Sequence, residues 1–200
     1  MKEVTIYTDG ACRGNPGPGG YGVILQYTRE DGQVFRKEMQ AGYRMTTNNR
    51  MEILAAVVGL EALKTPCRIT LYSDSQYLVN AMTKGWLAKW QRQGWYKDAK
   101  KKEKAKNVDL WKRLLAAMKP HEVTYRWVKG HAENPYNNRC DELAVESALD
   151  TAHLLEDVLL ADLMKTKKPC SSRNSLRRHD VSTMAGRPSG RPAHFIEWRS

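Results

Sequence analysis

The sequence predicts an α/β fold in which helices flank a mixed β-sheet, and three observations carry this prediction. Three strand-like segments separated by turn residues open the chain, a pattern typical of an antiparallel meander. Strands and helices then alternate up to about residue 150, which favours parallel pairing within the same sheet. From residue 165 onward, basic residues, prolines and glycines replace large apolar side chains, so we expect residues 165–200 to form a disordered basic tail.

The meander is predicted from period-two alternation of apolar and polar residues, which marks strands with one buried face. The first strand ends at Asp9, and residues 10–22 then hold six glycines and two prolines, which indicates turns. An Asp-Gly pair at residues 31–32 is a hairpin signal. The three predicted strands are residues 4–8, 23–27 and 34–43.

The alternating part begins with a helix whose apolar residues recur at helical spacing from Ile53 to Leu63. Residues 47–49 precede it as candidate N-cap residues, and Pro66 ends it. The other predicted elements are strands at 68–73 and 122–128 and helices at 75–82, 109–118 and 139–149, the last continuing with an interruption into a helical extension over residues 151–164.

Positive charge is concentrated in one part of the chain. The formal net charge is +11, and residues 84–106 alone hold nine lysines and arginines against two acids. Such a stretch is typical of a surface that binds a polyanion, although a solvated basic face has the same composition. No apolar run reaches the roughly 20 residues of a membrane span, and the N-terminus shows no signal-peptide pattern. We therefore expect a cytoplasmic protein that has no membrane partner and keeps its four scattered cysteines reduced.

Four acids are predicted to converge at one edge of the sheet. Asp9 and Asp74 each follow a strand, and the carboxyl ends of parallel neighbouring strands meet at the same edge. Glu52 and Asp141 are predicted in the first turns of their helices. Clustered carboxylates repel one another unless cations bind, and hard oxygen ligands select Mg²⁺ or Mn²⁺. The set is typical of two-metal phosphodiester hydrolysis.

Six short motifs occur in a fixed order along residues 1–150: TDGACRGNPGPGG (8–20), TTNNRME (46–52), SDSQY (73–77), KNVDLW (106–111), WVKGHA (127–132) and NRCDELA (138–144). Together they resemble the bacterial type 1 ribonuclease H family. The resemblance implies a ribonuclease H-like fold with a five-stranded mixed sheet and a catalytic domain over residues 1–150. It also implies a monomeric endoribonuclease that cuts the RNA strand of RNA–DNA hybrids and leaves 5′-phosphate and 3′-hydroxyl ends. Two Mg²⁺ ions per active site would serve it, with Mn²⁺ as a possible substitute.

The resemblance also assigns site residues. The metal-binding and catalytic acids are Asp9, Glu52, Asp74 and Asp141, and His131 matches the family's loop histidine, which assists proton transfer or product release. Residues 84–106 resemble the family's basic protrusion, called the basic handle below. The implied substrate contacts are Cys12, Asn15, Thr47, Asn48, Asn49 and Gln76, together with Trp86, Lys89, Trp90, Lys100 and Lys101 of the basic handle.

Several alternatives stay open at this point. Thr47 and Asn49 are suited to gripping a DNA phosphate, but an asparagine there is equally suited to capping a helix. Trp86 and Trp90 lie four residues apart on one helix face, which favours packing over base stacking. At the level of function, the alternatives are a catalytically inactive module that binds hybrids, and an integrase- or resolvase-like DNA nuclease.

Overall fold

A computed structural model describes residues 1–130, 134–158 and 160 of the chain. The five strands in this part are β1 (Lys2–Cys12), β2 (Gly17–Thr28), β3 (Val34–Thr46), β4 (Cys67–Ser73) and β5 (Glu122–Trp127). The helices in it are α1 (Asn48–Glu61), α2 (Gln76–Thr83), α3 (Trp86–Arg92), α4 (Val108–Met118) and α5 (Pro135–Leu149). None of these helices combines the length and the apolar character that crossing a membrane requires.

The strands form one mixed sheet in the order β3-β2-β1-β4-β5. β1, β2 and β3 pair antiparallel, which confirms the predicted meander. β4 pairs parallel to β1 and β5 pairs parallel to β4. The last parallel pair between β1 and β4 is Thr8 with Ser73, so Asp9 and Asp74 are the next residues at the same edge of the sheet. The predicted five-stranded mixed sheet is therefore confirmed.

The main hydrophobic core lies between the sheet and helices α1 and α4. Ile6, Leu71, Val57 and Trp111 are among its fully buried side chains. The opposite face of the sheet packs against α5, which approaches the backbone of β2 closely. A methyl group at Gly22 would lie 2.8 Å from Leu143 Cβ, well inside van der Waals contact. Small residues on β2 thus allow the helix that carries Asp141 to lie directly on the sheet.

Three predicted boundaries are wrong in detail. The glycine-rich segment predicted as turns contains the ends of two strands, because β1 extends to Cys12 and β2 begins at Gly17. Glu52 lies in the second turn of α1, whose N-cap is Thr47. Asp141 lies in the second turn of α5, because that helix begins at Pro135. The Asn134 side chain caps α5 by accepting from two backbone N–H groups, a signal that moves the helix start four residues earlier than predicted.

The predicted helical extension over residues 151–164 is wrong for residues 151–157. α5 ends at Leu149, and Leu155 then pairs with Tyr43 as an isolated parallel bridge on the outer edge of β3. The Leu155 N–H donates to Gly42 O at 2.8 Å, and the Arg44 N–H donates to Leu155 O at 2.8 Å. Pairing with an open sheet edge satisfies these backbone groups outside a helix. The predicted basic tail, residues 165–200, lies outside the described residues.

Candidate active site

Asp9 is the most buried of the four acids that the sequence singles out, with 7% of its surface exposed. Its Oδ1 accepts the Gly10 N–H at 2.6 Å. Burial in the first place, and the Asp74 carboxylate next, raise the pKa of Asp9 to about 8, with smaller contributions from Asp141 and Glu52. Asp9 therefore interacts electrostatically with each of the other three carboxyl groups at this end of the sheet.

Glu52 is oriented by two hydrogen-bond donors. The Asn48 side-chain amide donates to Oε1 at 2.8 Å, one helical turn earlier in α1. The Ser75 hydroxyl donates to Oε2. Burial raises the pKa of Glu52, and the Ser75 and Asn48 hydrogen bonds partly oppose that rise. The carboxylate is consequently fixed in direction before any ligand binds.

Ser75 is a site residue that the sequence analysis missed. Its oxygen also accepts the Leu78 N–H at 3.1 Å, so one hydroxyl caps α2 and donates to Glu52. A serine hydroxyl can serve as donor and acceptor at once. The available signal was its position between a strand-ending acid and a helix, since serine there is a favoured N-cap.

Asp74 is bordered by the last residue of β5 and by the segment that follows this strand. The Trp127 indole N–H donates to Asp74 O at 3.1 Å, and the Val128 N–H donates to Ser73 O at 3.1 Å. A methyl group at Gly130 would lie 2.5 Å from Asp74 Oδ2. Glycine at this position therefore leaves the space that the Asp74 carboxylate occupies.

We expect Gly130→Ala to displace the Asp74 carboxylate and to lower kcat/KM on a nucleic-acid substrate about 10- to 100-fold, since sub-ångström misplacement of a reacting group has effects of this size. The matched control is Thr124→Ala on the exposed face of β5, which should leave kcat/KM unchanged. Steady-state kinetics on both folded variants provide the measurement. Wild-type kinetics for Gly130→Ala would show that Asp74 does not need this space.

α5 brings Asp141 to the cluster by way of its neighbour Cys140. Cys140 is fully buried beneath the sheet and packs with Ile24 of β2. Burial first, and the nearby Asp9 carboxylate second, raise the pKa of the Cys140 thiol, so it packs as a neutral group. Asp141 contributes to the raised pKa of Asp9, which places its charge within electrostatic range of β1.

The acids do not form a closed metal cage. Within residues 1–130, 134–158 and 160, no three His, Cys, Asp or Glu side chains are close enough together to hold one ion. Hydrogen bonds from Gly10 and from Ser75 direct two of the carboxylates individually. Their chemistry is nevertheless that of a hard-cation site, since all four predicted ligands supply carboxylate oxygens. His131 lies outside the described residues.

Several predicted substrate contacts meet beside the acids. The Asn48 N–H donates to Asn15 Oδ1 at 3.3 Å, which joins the β1–β2 turn to the start of α1. The Cys12 thiol donates to Gly17 O and to Thr46 O, each at 3.5 Å. These hydrogen bonds join the two motifs to each other. Gln76 begins α2 directly after Ser75.

Thr47 and Asn49 also lie at the start of α1. Thr47 is the N-cap residue, yet its side chain makes no capping hydrogen bond. Asn49 is the second residue of the helix and is exposed, so it is not the cap. The Thr47 carbonyl instead accepts the N–H groups of Arg50 and Met51. Both side chains therefore remain available for other contacts.

Of the two tryptophans of the basic handle that were predicted as substrate contacts, one lies in the core and the other on the surface. Trp90 is 8% exposed, and its ring centroid lies 6.1 Å from that of the buried Trp111. Its assignment as a substrate contact is therefore replaced by a packing role. Trp86 is 36% exposed and lies 6.4 Å from Trp90. The three predicted contact lysines, Lys89, Lys100 and Lys101, are all exposed.

Comparison with known proteins agrees with this geometry. The RNase H family model matches residues 1–149. The chain is 60% identical over 148 residues to the ribonuclease H of Syntrophus aciditrophicus (strain SB), covering 74% of this chain and 82% of that protein. It is 52% identical over 156 residues to the ribonuclease HI of Synechocystis sp. (strain ATCC 27184 / PCC 6803 / Kazusa), covering 78% of this chain and 94% of that protein.

Solved structures give the same result. The crystal structure of LC9-RNase H1, a type 1 RNase H with the type 2 active-site motif, superposes with a TM-score of 0.67 at 33% identity and covers 74% of this chain and 72% of that one. LC11-RNase H1 in complex with an RNA/DNA hybrid superposes with a TM-score of 0.51 at 26% identity, covering 72% of this chain and 96% of that one. The extent of the match, the sheet order and the placement of the motifs agree, and the chain belongs to the bacterial type 1 ribonuclease H family, as a ribonuclease H.

Proposed function

We propose that the protein is an endoribonuclease that hydrolyses the RNA strand of RNA–DNA hybrids and leaves 5′-phosphate and 3′-hydroxyl ends. The observation that carries the proposal is the placement of Asp9 and Asp74 at the same edge of the sheet, with Glu52 and Asp141 near enough to raise the pKa of Asp9 as well. A buried acid whose pKa is raised by three other acids marks a place where carboxylates are held together against their repulsion. Strongly perturbed pKa values of this kind cluster at functional sites.

Asp9, Glu52, Asp74 and Asp141 would hold two Mg²⁺ ions, with Mn²⁺ as a possible substitute. All four proposed ligands are carboxylates, and Mg²⁺ and Mn²⁺ both prefer oxygen ligands of this kind. When bound, such ions generate hydroxide from water and stabilise the leaving oxygen of a phosphodiester. The chain's own contribution is orientation, because Ser75 and Asn48 fix Glu52 and the Gly10 N–H fixes Asp9.

Recognition of the hybrid would use the surface beside the acids. The 2′-hydroxyl distinguishes RNA from DNA, and short polar side chains such as those of Cys12, Asn15, Asn48 and Gln76 suit it. The hydrogen bond between Asn48 and Asn15 supports a continuous contact surface for the RNA strand. LC11-RNase H1 has been solved in complex with an RNA/DNA hybrid, and this supports the same class of substrate for the protein described here.

The DNA strand and the flanking duplex would be held through phosphates. Thr47 and Asn49 suit a DNA phosphate, since neither side chain caps α1. Lys89, Lys100 and Lys101 of the basic handle are exposed and suit phosphates without regard to sequence, with the exposed Trp86 beside them. We further propose that His131 assists proton transfer or product release, and that the enzyme acts as a cytoplasmic monomer.

A substrate panel tests the proposed activity. End-labelled RNA–DNA hybrid, duplex DNA, duplex RNA and single-stranded RNA are incubated with the full chain and Mg²⁺. We expect cleavage of the hybrid alone, within its RNA strand, and loss of that cleavage in EDTA. Binding without cleavage in both Mg²⁺ and Mn²⁺ would favour an inactive hybrid-binding module. Cleavage of duplex DNA with an intact hybrid would favour an integrase-like nuclease.

A further inference from the structure

We propose that residues 155–157, which follow the family-matched span of 1–149, position the proposed substrate contacts Thr47, Asn48 and Asn49 through a buried ion pair between Asp157 and Arg50. The inference rests on the proposed function, because it assigns these residues a role in binding the hybrid. It also extends the functional unit past Leu149, where the last long helix ends.

Arg50 is the centre of a buried charge network. Its Nε and Nη2 donate to Asp157 Oδ2 and Oδ1 at 2.6 and 2.8 Å. Its Nη1 and Nη2 donate to Asp109 Oδ1 and Oδ2 at 3.0 and 2.7 Å. Two bidentate contacts of this kind fix the plane of the guanidinium group as well as its position. Arg50 is 2% exposed and Asp157 is 8% exposed, so water screens this pair little.

The C-terminal segment reaches Arg50 by running along the edge of β3. The two backbone hydrogen bonds of Leu155 fix its position beside Tyr43, near the end of that strand. Two residues later, Asp157 lies beneath the start of α1. Its Oδ2 also accepts the Thr46 hydroxyl at 3.0 Å, so the same carboxylate contacts both ends of the β3–α1 junction.

The junction is the part of the molecule that presents the predicted substrate contacts. Thr46 accepts the Cys12 thiol through its carbonyl oxygen, and Asn48 binds Asn15 through its N–H. Thr47 and Asn49 lie between Thr46 and Arg50. Asp157 therefore holds the residue before these contacts and the residue after them.

The network also connects this junction to the end of the basic handle. Asp109 is the second residue of α4, which follows the handle directly. A carboxylate in the first turn of a helix is favoured by the helix dipole, so Asp109 is stabilised independently of Arg50. Arg50 thus fixes the junction relative to α4 and the C-terminal segment together.

Loss of one member of this charge network should weaken hybrid binding more than it slows bond cleavage. Removing one partner of a buried, hydrogen-bonded ion pair leaves the other charge poorly compensated, so the backbone around it rearranges. The body of α1 is held separately by fully buried residues such as Met51 and Ile53, and Glu52 is held by Ser75. The rearrangement is therefore centred on the proposed substrate contacts Thr47, Asn48 and Asn49. Asn48 also donates to Glu52, but Glu52 keeps its hydrogen bond from Ser75, so the effect on kcat should be smaller than the effect on binding.

The test uses the full chain carrying Asp157→Asn, a substitution that keeps the shape of the side chain and removes its charge. We expect about a tenfold higher KM for the hybrid in Mg²⁺ and about a tenfold higher Kd in EDTA, with kcat within about twofold of wild type. All measurements are made well below the unfolding midpoint of each variant. Asp157→Glu, which restores the charge, should recover part of the lost affinity.

The matched control is Glu156→Gln, because Glu156 is the preceding residue and forms an exposed ion pair with Arg44 at 2.9 Å. Surface pairs of this kind contribute little, so wild-type KM and Kd are expected. Equal effects of the two substitutions, or a fall in kcat with unchanged KM and Kd, would overturn the positioning role. The Kd in EDTA keeps the two proposals separate, because it reports on positioning even if the wild-type protein fails to cleave the hybrid.

If Asp157→Asn does not fold, Thr46→Val provides the second variant. It removes only the hydroxyl that donates to Asp157 and preserves the shape of the residue. We expect about a threefold rise in KM and Kd, in keeping with the loss of a single hydrogen bond to a charged group. An unchanged Kd in folded Thr46→Val would overturn the proposal.

Discussion

Asp9→Asn is expected to abolish hybrid cleavage and, in EDTA, to stabilise the fold at neutral pH. Loss of a carboxylate from the proposed metal site should lower kcat by about 1000-fold or more, since electrostatic and metal-ion effects supply much of the rate enhancement in such sites. Asparagine keeps the shape of the side chain and carries no charge, whereas folding at this pH must either protonate Asp9 or bury its charge beside Asp74, Glu52 and Asp141. We expect a gain of about 1–3 kcal/mol in the free energy of unfolding near pH 8.

The sign of the pH dependence follows from the raised pKa of Asp9. This pKa is about 8 in the folded protein, against 3.8 for an unperturbed aspartate. Between these values the folded state binds more protons than the unfolded state, so the stabilising contribution is complete below about pH 4 and is lost as the pH rises through about 8. The pKa of Glu52 is raised as well and acts in the same direction. Urea unfolding in EDTA at about pH 5 and about pH 8 measures the slope, which should be shallower in Asp9→Asn than in wild type.

Asp31→Asn is the control for this experiment, because Asp31 is an exposed acid in the β2–β3 turn. It should keep wild-type activity and the wild-type change of stability with pH. Cleavage by Asp9→Asn at the wild-type rate would show that the metal site is misassigned. Equal stability of Asp9→Asn and wild type at both pH values would contradict the inferred repulsion.

Gly10→Ala is expected to destabilise the protein by about 3 kcal/mol and to inactivate it, as overpacking against a rigid neighbour does. A methyl group at Gly10 would lie 2.6 Å from the Met51 carbonyl carbon, in the backbone of α1. Backbone atoms cannot move aside as a flexible side chain can. α1 would have to shift away from β1, which separates Glu52 from Asp9. Thermal unfolding and hybrid cleavage report the two effects.

Gly59→Ala is the matched control, since it also adds a methyl group between α1 and the sheet. There the nearest atoms are side-chain methyl groups of Ile6 and Val23, at 3.0 and 3.2 Å. These atoms can adjust, and alanine favours the helix, so stability should change by no more than about 1 kcal/mol. If both substitutions destabilised the protein equally, the backbone contact at Gly10 would not be the cause of the destabilisation.

The antiparallel meander and the mixed character of the sheet were predictable because they depend on local patterns, whereas the number of strands came from the family resemblance. Alternation and turn residues mark the strands, and a strand-ending acid on each of two parallel strands places Asp9 and Asp74 together. The boundaries were harder to predict. Glycines usually mark turns, but at Gly20 and Gly22 they are strand residues that allow α5 to approach, and this need arises from residues more than 100 positions later.

Long-range polar contacts could not be read from the sequence. Arg50 and Asp157 are separated by 107 positions, and no periodicity relates them. Asp157 also lies in a segment whose helical pattern was misleading, since edge pairing with β3 replaced the helix. Trp90 and Trp86 share a helix face, but only the packing of Trp90 against Trp111 assigns one to the core. In each case tertiary contacts decided the role of the residue.

The dependence of the β-sheet on α5 has a consequence during synthesis. β1, β2 and β3 leave the ribosome first, whereas α5 begins 89 residues after β3 ends and Asp157 follows later still. Until then the chain carries three of the four clustered acids, and the glycine-lined face of β2 is uncovered. A chain that terminates early should therefore be an inactive and aggregation-prone fragment rather than a weak nuclease. Activity should therefore appear only once synthesis has passed α5.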